Sequence, residues 1–517
     1  MEASQENTTP TDVLEIKVYV PINEITKRQQ GMIDNAIDKH PKDRKYLSNT
    51  SHSKIFAPDK NRADEIIEYA KAQNWDVAFD KTAREITIRI NSDDISDEES
   101  ATSIEALKFL SEQGDIHLDA KEQEEQEEGE EKQESASAED IVNPAQKTGF
   151  VKNNTEKRVG NGYTVPIQES AHGHSAIEIA DAYNFPEGDG AKQTIGIIEL
   201  GGKFEQSDLE TYFETYDLEV PEIQVVGKPA TTPINDNVEV TADIQVLGVL
   251  VPKAKLVVYY GTSILSAMKT ALADTKNNLT VISISWAGSE LGYSQQEILE
   301  LNNVFYEAAL KGITVLGASG DNGAFNNKTY ANVNVPVNFK HVLGCGGTKL
   351  EIYEERIIAE TVWNESTRQA QIGTGGGFSQ RVAEAGYQAK AIQQYLERYP
   401  QFEPYHKAGG TGIPDVAANA ADATGYAILF EGNWAKIGGT SLATPLWAAL
   451  IARMNQNLGY RLGFINQHLY ALMNSEAFHQ ITEGNNNLYL ASEGWNPCTG
   501  LGSPDGKKLM EAINALD

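Results

Sequence analysis

The chain has 517 residues but only two cysteines, Cys345 and Cys498. Two thiols cannot build a disulfide framework or complete a cysteine-rich zinc site, so stability must come from a packed core. No stretch approaches the ~18 consecutive apolar residues of a membrane helix. The opening residues, Met1-Glu2-Ala3-Ser4-Gln5-Glu6-Asn7, are acidic and polar and lead into no apolar run, so a secretory signal peptide of the usual kind is not expected. Basic residues are scarce: 43 Lys and Arg stand against 74 Asp and Glu, a net charge of −31. Such a surface repels phosphate backbones and anionic lipid, which argues against nucleic acid or membrane as a partner. What remains is ordinary globular composition, 40% hydrophobic, enough to exclude wholesale disorder. At roughly 150 residues per domain the length suggests two to four units.

The clearest boundary is the block from Asp119 to Asp140, with eleven acids and two lysines. It repels itself and reads as a solvated linker, continued by polar sequence to about Gln168. The expected division is therefore 1–118, a small α+β domain; 119–168, the acidic linker; and 169–517, the main domain. In the first, Val13 to Val20 alternates like a strand and Asp64 to Gln73 has helical spacing. Asp76–Phe79 and Ala83–Ile90 look like paired strands, and Ser103–Ser111 like a second helix. Beyond the linker, short apolar runs alternate with helix-period segments. The runs are Thr194–Leu200, Lys255–Tyr260, Thr280–Ser285 and Ile313–Ala318; the helices include Asn237–Leu250 and Gln295–Leu310. That order predicts a parallel sheet covered on both faces, with chemistry at the carboxyl ends of its strands.

Four features stand at such ends. Gly438-Gly439-Thr440-Ser441 runs straight into a helix, which suits either a nucleophile at a helix start or a plain Ser cap. Glu239 and Asp243, four apart on a predicted helix, share one face; they are either a base and its partner or a solvated acidic edge. Asp321 closes Gly317-Ala318-Ser319-Gly320-Asp321, where an acid can bind a cation, cap a turn or, protonated, donate to an oxyanion. Glu199 and Trp286 end two further strands on the same rim. His172-Gly173-His174 offers an alternative base, but it precedes the first strand in polar sequence and reads as surface histidine.

Taken together these segments resemble the sedolisins, or serine-carboxyl peptidases, in their kumamolisin-like branch. The resemblance runs from about Ser175 to the C-terminus and rests on IIELGG, EVTAD, SISWAG, ASGDNG, TGGGFS, IPDVAANA, IGGTSLATPLWAAL and FHQITEGNN…GWNPCTGLGSP. It implies a subtilisin-like α/β fold preceded by a small ferredoxin-like α+β propeptide, with LEIKVYVPI and NRADEIIEYAKAQNWDV as the propeptide's recognisable pieces. It also implies a Ser-Glu-Asp triad: Ser441 as nucleophile, Glu239 as base and acid, and Asp243 orienting Glu239. Asp321 becomes the oxyanion donor, Glu199 and Trp286 a supporting network, and Gly375, Gly376 and Gly377 part of the substrate-binding wall. A Glu base and a protonated Asp donor both favour acid pH.

The implied protein is a self-processing zymogen of an acid-active endopeptidase. It would be monomeric, take protein or peptide substrates, hold its own prodomain in cis, and be cut between about Asn143 and Ser175. Secretion follows from the resemblance and the acid requirement; the missing signal leaves a cytoplasmic location open. A catalytically inactive binding protein on the same fold is the alternative.

Two departures stand out. The family's calcium site uses two aspartates and three carbonyls; here the matching residues are Gln480 and Asn496, with Ile481, Ser492 and Gly494 at the carbonyl positions. Losing two charged ligands should weaken calcium binding greatly, so no cofactor is expected. At Asn334 kumamolisin-like sequences can carry an acid facing the substrate, so a neutral Asn should relax any preference for Lys or Arg. Cys345 and Cys498 read as buried free thiols.

Overall fold

The computed structural model describes residues 13–20, 22, 25–73, 75–81, 85–91, 115–119, 158–159, 163–164, 173–229 and 234–516. These fall into two compact units, 1–33 with 47–135, and 34–46 with 136–517. The acidic block, its continuation and the predicted helix at Ser103–Ser111 lie almost wholly outside the described residues.

In the first unit Val13–Tyr19 is one of the two inner strands of an antiparallel sheet whose order is Asp76–Asp80, Glu85–Asn91, Val13–Tyr19, Asp115–Asp119. Alternation places Ile16, Val18, Ile86, Ile88 and Ile90 on one face. The helix Lys60–Ala72, capped by the Asp59 carboxylate, covers that face with Ala63, Ile66 and Ala70. This is the α+β unit that the sequence predicts.

The second unit is built on an eight-stranded sheet. Its order is Arg356–Val362, Val342–Tyr353, Thr314–Ala318, Val281–Ile284, Thr194–Glu199, Lys255–Tyr260, Ile223–Val226, and Val416–Asn419 also pairs Val342–Tyr353. Only the hairpin of Val342–Tyr353 with Arg356–Val362 is antiparallel. Residues such as Ile195, Ile197, Ile198, Val281 and Ile282 are fully buried whichever face they point to, as strands covered on both sides require. One face carries the helices Ile234–Leu250 and Thr440–Leu458, which pack on each other within a core that includes Val240, Ile244, Leu442 and Leu446. The other carries Ile264–Ala273 and Gln295–Leu310. The chain reverses its direction of travel across the sheet between Thr194–Glu199 and Val281–Ile284, and crevices open at such switch points.

The second unit also includes Asp34–Tyr46, a strap from early in the chain. Buried Arg44 donates from Nη1 to the carbonyls of Leu462 (2.9 Å) and Phe464 (2.7 Å), and from Nε to that of Lys39 (2.7 Å). The His40 ring lies 2.9 Å from the Ile513 carbonyl, and the Tyr46 hydroxyl donates to that of Arg461.

Candidate active site

Ser441 occupies the second position of the helix Thr440–Leu458, which begins after Gly439 at φ 137°. A Cβ on Gly439 would lie 2.8 Å from Ser441 Oγ and 3.1 Å from Asp321 Oδ2. The two oxygens therefore border one small space that stays open only because residue 439 has no side chain.

Asp321 follows the strand Thr314–Ala318. Its Oδ1 accepts from the backbone N–H (2.9 Å) and the hydroxyl (2.7 Å) of Thr440, leaving Oδ2 toward Ser441. Burial raises its pKa, and the Thr440 bonds offset part of that rise.

Glu239 and Asp243 lie one turn apart on Ile234–Leu250, a helix buried on almost every side, so neither is part of a solvated edge. Burial, then the Asp243 and Asp321 charges, drive the Glu239 pKa well above its ordinary range; the nearby Ser441 hydroxyl acts the other way. Burial pushes Asp243 up to about 8 against the hydrogen bond from Ser285. Glu199, the last residue of its strand, accepts from Trp286 Nε1 at 2.8 Å across the switch point. Burial first, then the neighbouring Asp243 and Glu239, raises it too. No Lys or Arg figures among the described partners of these carboxyls, so they cannot all ionise together and protons must be shared. Such a cluster can take a proton from a hydroxyl while a neutral Asp321 donates a hydrogen bond nearby.

Two residues here escaped the sequence reading. The Ser285 hydroxyl lies 2.8 and 3.0 Å from the two Asp243 oxygens and 3.0 Å from the Ser441 carbonyl. Its place immediately after a strand, beside Trp286, was the available signal. Glu290 accepts from Ser379 Oγ (2.5 Å), Gln380 N (2.7 Å) and Asn338 Nδ2 (3.0 Å), pinning the strand Gly377–Ala383.

That strand continues the wall of Gly375, Gly376 and Gly377. Gly375 N donates to the Gly320 carbonyl at 2.7 Å, and Gly373 N to that of Asp321 at 2.8 Å, so the wall and the Asp321 loop are laced together. Asn334 is buried, and both ends of its amide are engaged within the protein. His174 pairs its backbone with Gly425 and Tyr426; His172 lies outside the described residues. Cys345 and Cys498 are free and buried, and burial raises both thiols.

At the C-terminal loop the donor chemistry opposes a calcium ion. Asn496 Oδ1 accepts from Cys498 N, Thr499 N and Thr499 Oγ1, which fixes the amide orientation. Its Nδ2 then faces the carbonyls of Ser492 (3.1 Å) and, at the limit of a hydrogen bond, Ile481 (3.5 Å). Gln480 Oε1 accepts from Gly494 N at 2.7 Å. Carbonyls that a cation would need are turned toward N–H groups, so these residues do not fit calcium.

The model of the Subtilase family matches residues 230–496. Kumamolisin from Bacillus sp. (strain MN-32) is 40% identical over 359 residues, 66% of this chain and 63% of that protein. Tripeptidyl-peptidase SED1 from Arthroderma otae (strain ATCC MYA-4605 / CBS 113480) is 33% identical over 46% of this chain and 40% of its own length. The matches thus span less than two thirds of these relatives. Among solved structures, Pseudomonas sedolisin, a serine-carboxyl proteinase complexed with two molecules of pseudo-iodotyrostatin, aligns with a TM-score of 0.59. It is 27% identical and covers 67% of this chain and 99% of that one.

Proposed function

The chain belongs to the subtilase family and is sedolisin-like within it, and from that premise we propose an acid-active serine-carboxyl endopeptidase made as a self-processing zymogen. The observation that carries the reading is the convergence of Ser441 Oγ and Asp321 Oδ2 on the space above Gly439, with Glu239 buried beside them and its Oε1 without a hydrogen-bond partner.

In this reading Ser441 Oγ attacks the peptide carbonyl while Glu239 takes the hydroxyl proton. The oxyanion receives a hydrogen bond from protonated Asp321 at Oδ2, and Glu239 then gives its proton to the leaving amine. Water, activated by the same Glu239, hydrolyses the acyl-enzyme. Asp243 and Ser285 hold Glu239 and the helix start, and the Glu199–Trp286 pair holds the acids behind them. Activity needs one charge on the Glu239–Asp243 pair and none on Asp321, which gives a bell-shaped profile.

The partners proposed are protein or peptide substrates and the chain's own amino-terminal domain in cis, on a monomer working outside the cell or in an acidic compartment. No helix among the described residues is long and apolar enough to cross a membrane. The C-terminal loop works without calcium.

The test is a time course of full-length protein at about pH 4 and pH 7, followed by intact mass, with Ser441→Ala alongside. Wild type alone shortens, in acid, by cleavage between about Asn143 and Ser175. Equal shortening of both proteins would refute self-cleavage; no change in either, with no cleavage of unfolded substrate at any pH, would favour a retired protease fold.

A further inference from the structure

We propose that Asn334 is a positioning residue for the Asp321 loop, and that its amide rather than an acid lets the site keep its oxyanion donor in place independently of pH. The inference rests on the catalytic reading above and concerns how its donor is held.

Asp321 projects from the turn Ser319-Gly320-Asp321, and three sets of bonds hold that turn. Gly320 N donates to Thr440 Oγ1 at 3.0 Å, tying it to the helix of Ser441. The Gly320 and Asp321 carbonyls accept from the wall at Gly375 and Gly373. The Ser319 carbonyl accepts from Asn334 Nδ2 at 2.9 Å. At its other end Asn334 Oδ1 accepts from Asn326 Nδ2 at 2.5 Å, which fixes the amide with its N–H toward Ser319. The closeness of the fit is independent evidence: a Cβ on Gly320, at φ 98°, would lie 2.1 Å from Asn334 Nδ2. The side chain is 4% exposed, with one amide N–H donated to the loop and its oxygen taken by Asn326, so it is oriented toward the protein.

An aspartate is nearly the same shape but donates at that position only when protonated. Ionised, it would set a carboxylate oxygen against the Ser319 carbonyl and push the turn that carries Asp321. The titratable groups on the elements around this corner are acids: Asp321 itself, Glu290 beside Ser289, the strand partner of Asn334, and Glu239 behind Asp321. Lys328 is the basic residue on the intervening loop. The surrounding acids would favour the protonated form and move its loss to higher pH without removing it.

The experiment is Asn334→Asp and Asn334→Ala measured as kcat and KM across about pH 3 to 7, on one peptide series varied between neutral and basic side chains. Asn334→Asp is expected to lose little kcat in acid and at least about tenfold more as pH rises, because a misplacement near 1 Å at a reacting centre costs up to ~100-fold. Asn334→Ala is expected to lose kcat at every pH, with KM little changed in both. The same Asn334→Asp change in Ser441→Ala protein is followed by melting. Its deficit against the Ser441→Ala parent should widen as pH rises, because a carboxyl whose folded pKa is raised loses its contribution as pH climbs through that pKa. This arm decides the contact even if the wild type proves inactive, which would sink the catalytic reading alone. A kcat ratio flat with pH, a melting deficit flat with pH, or a selective drop in KM for basic peptides with kcat intact would overturn the proposal.

Discussion

Ser285 supplies the Ser441 carbonyl with the hydrogen bond that its own helix cannot give. The residue four positions on is Pro445, which has no N–H, so the carbonyl would otherwise be unpaired inside the protein. The Ser285 hydroxyl lies 3.0 Å from it and also bridges both oxygens of Asp243. Ser285 is the donor in all three contacts, so its single proton is shared between the Asp243 carboxyl and the Ser441 carbonyl, joining the acid pair to the backbone of the nucleophile.

Ser285→Ala should therefore cost stability out of proportion to one small side chain. Leaving a buried carbonyl and a buried carboxyl each short of a partner is worth about 1–3 kcal/mol. Urea unfolding at pH 4, in Ser441→Ala protein to prevent self-digestion, reads it directly. An unchanged midpoint would show that the bridge carries no load.

Asp321→Asn should extend activity toward neutral pH. The amide oxygen can still accept both Thr440 bonds, and the amide N–H donates at every pH, whereas Asp321 donates only while protonated. The alkaline limb of kcat is expected to move up. Asp321→Ala, which removes the donor, should lose about 10²- to 10³-fold across the profile.

Stability itself should fall as pH rises. Burial holds Asp243 up to about 8 and Asp422 up to about 6, against ~3.9 for an unfolded Asp. Each raised group contributes fully below the unfolded value, and its contribution is lost as pH climbs through the folded one. The window runs from about pH 4 to about pH 8 for Asp243 and to about pH 6 for Asp422, at up to ~1.4 kcal/mol per pH unit for each group within its window. Unfolding midpoints at pH 4, 5.5 and 7 should decrease in that order, and Asp243→Asn should flatten the slope.

Chelation should leave the melting temperature unchanged, and added calcium should not raise it. Gln480→Asp with Asn496→Asp restores two charged ligands and frees the Ser492 and Ile481 carbonyls from the Asn496 amide. The double variant is expected to become less stable alone and to recover when calcium is added. A wild-type loss of many degrees with a chelator would contradict the loop assignment.

The parts legible in sequence are those written in local pattern. Lys255–Tyr260 and Gln295–Leu310 form where hydrophobic period and caps predict them, because a doubly covered strand and a capped helix each announce themselves within a few residues. The oxygens of Ser441 and Asp321, far apart in the chain, meet because both follow motif-bearing strand or helix ends. Ser285 was illegible because its partners are nonlocal and one of its tasks follows from a proline elsewhere. Asn334 looked available to substrate, since nothing in a sequence tells that Asn326 and Ser319 occupy its two ends. The strap at Asp34–Tyr46 falls with the amino-terminal domain in the sequence, because linear order is the only guide to membership before contacts are known.

That strap changes what a cut in the acidic stretch would release. Arg44 and His40 grip carbonyls of Leu462, Phe464 and Ile513 within the larger unit, bonds that a cut between residues 119 and 175 would leave in place. Cleavage there would yield a nicked heterodimer rather than two free fragments, its pieces co-eluting until the Arg44 anchor dissociates. Liberation of the amino-terminal piece would then be a binding equilibrium, sensitive to dilution and denaturant, and slower to finish than the scission that precedes it.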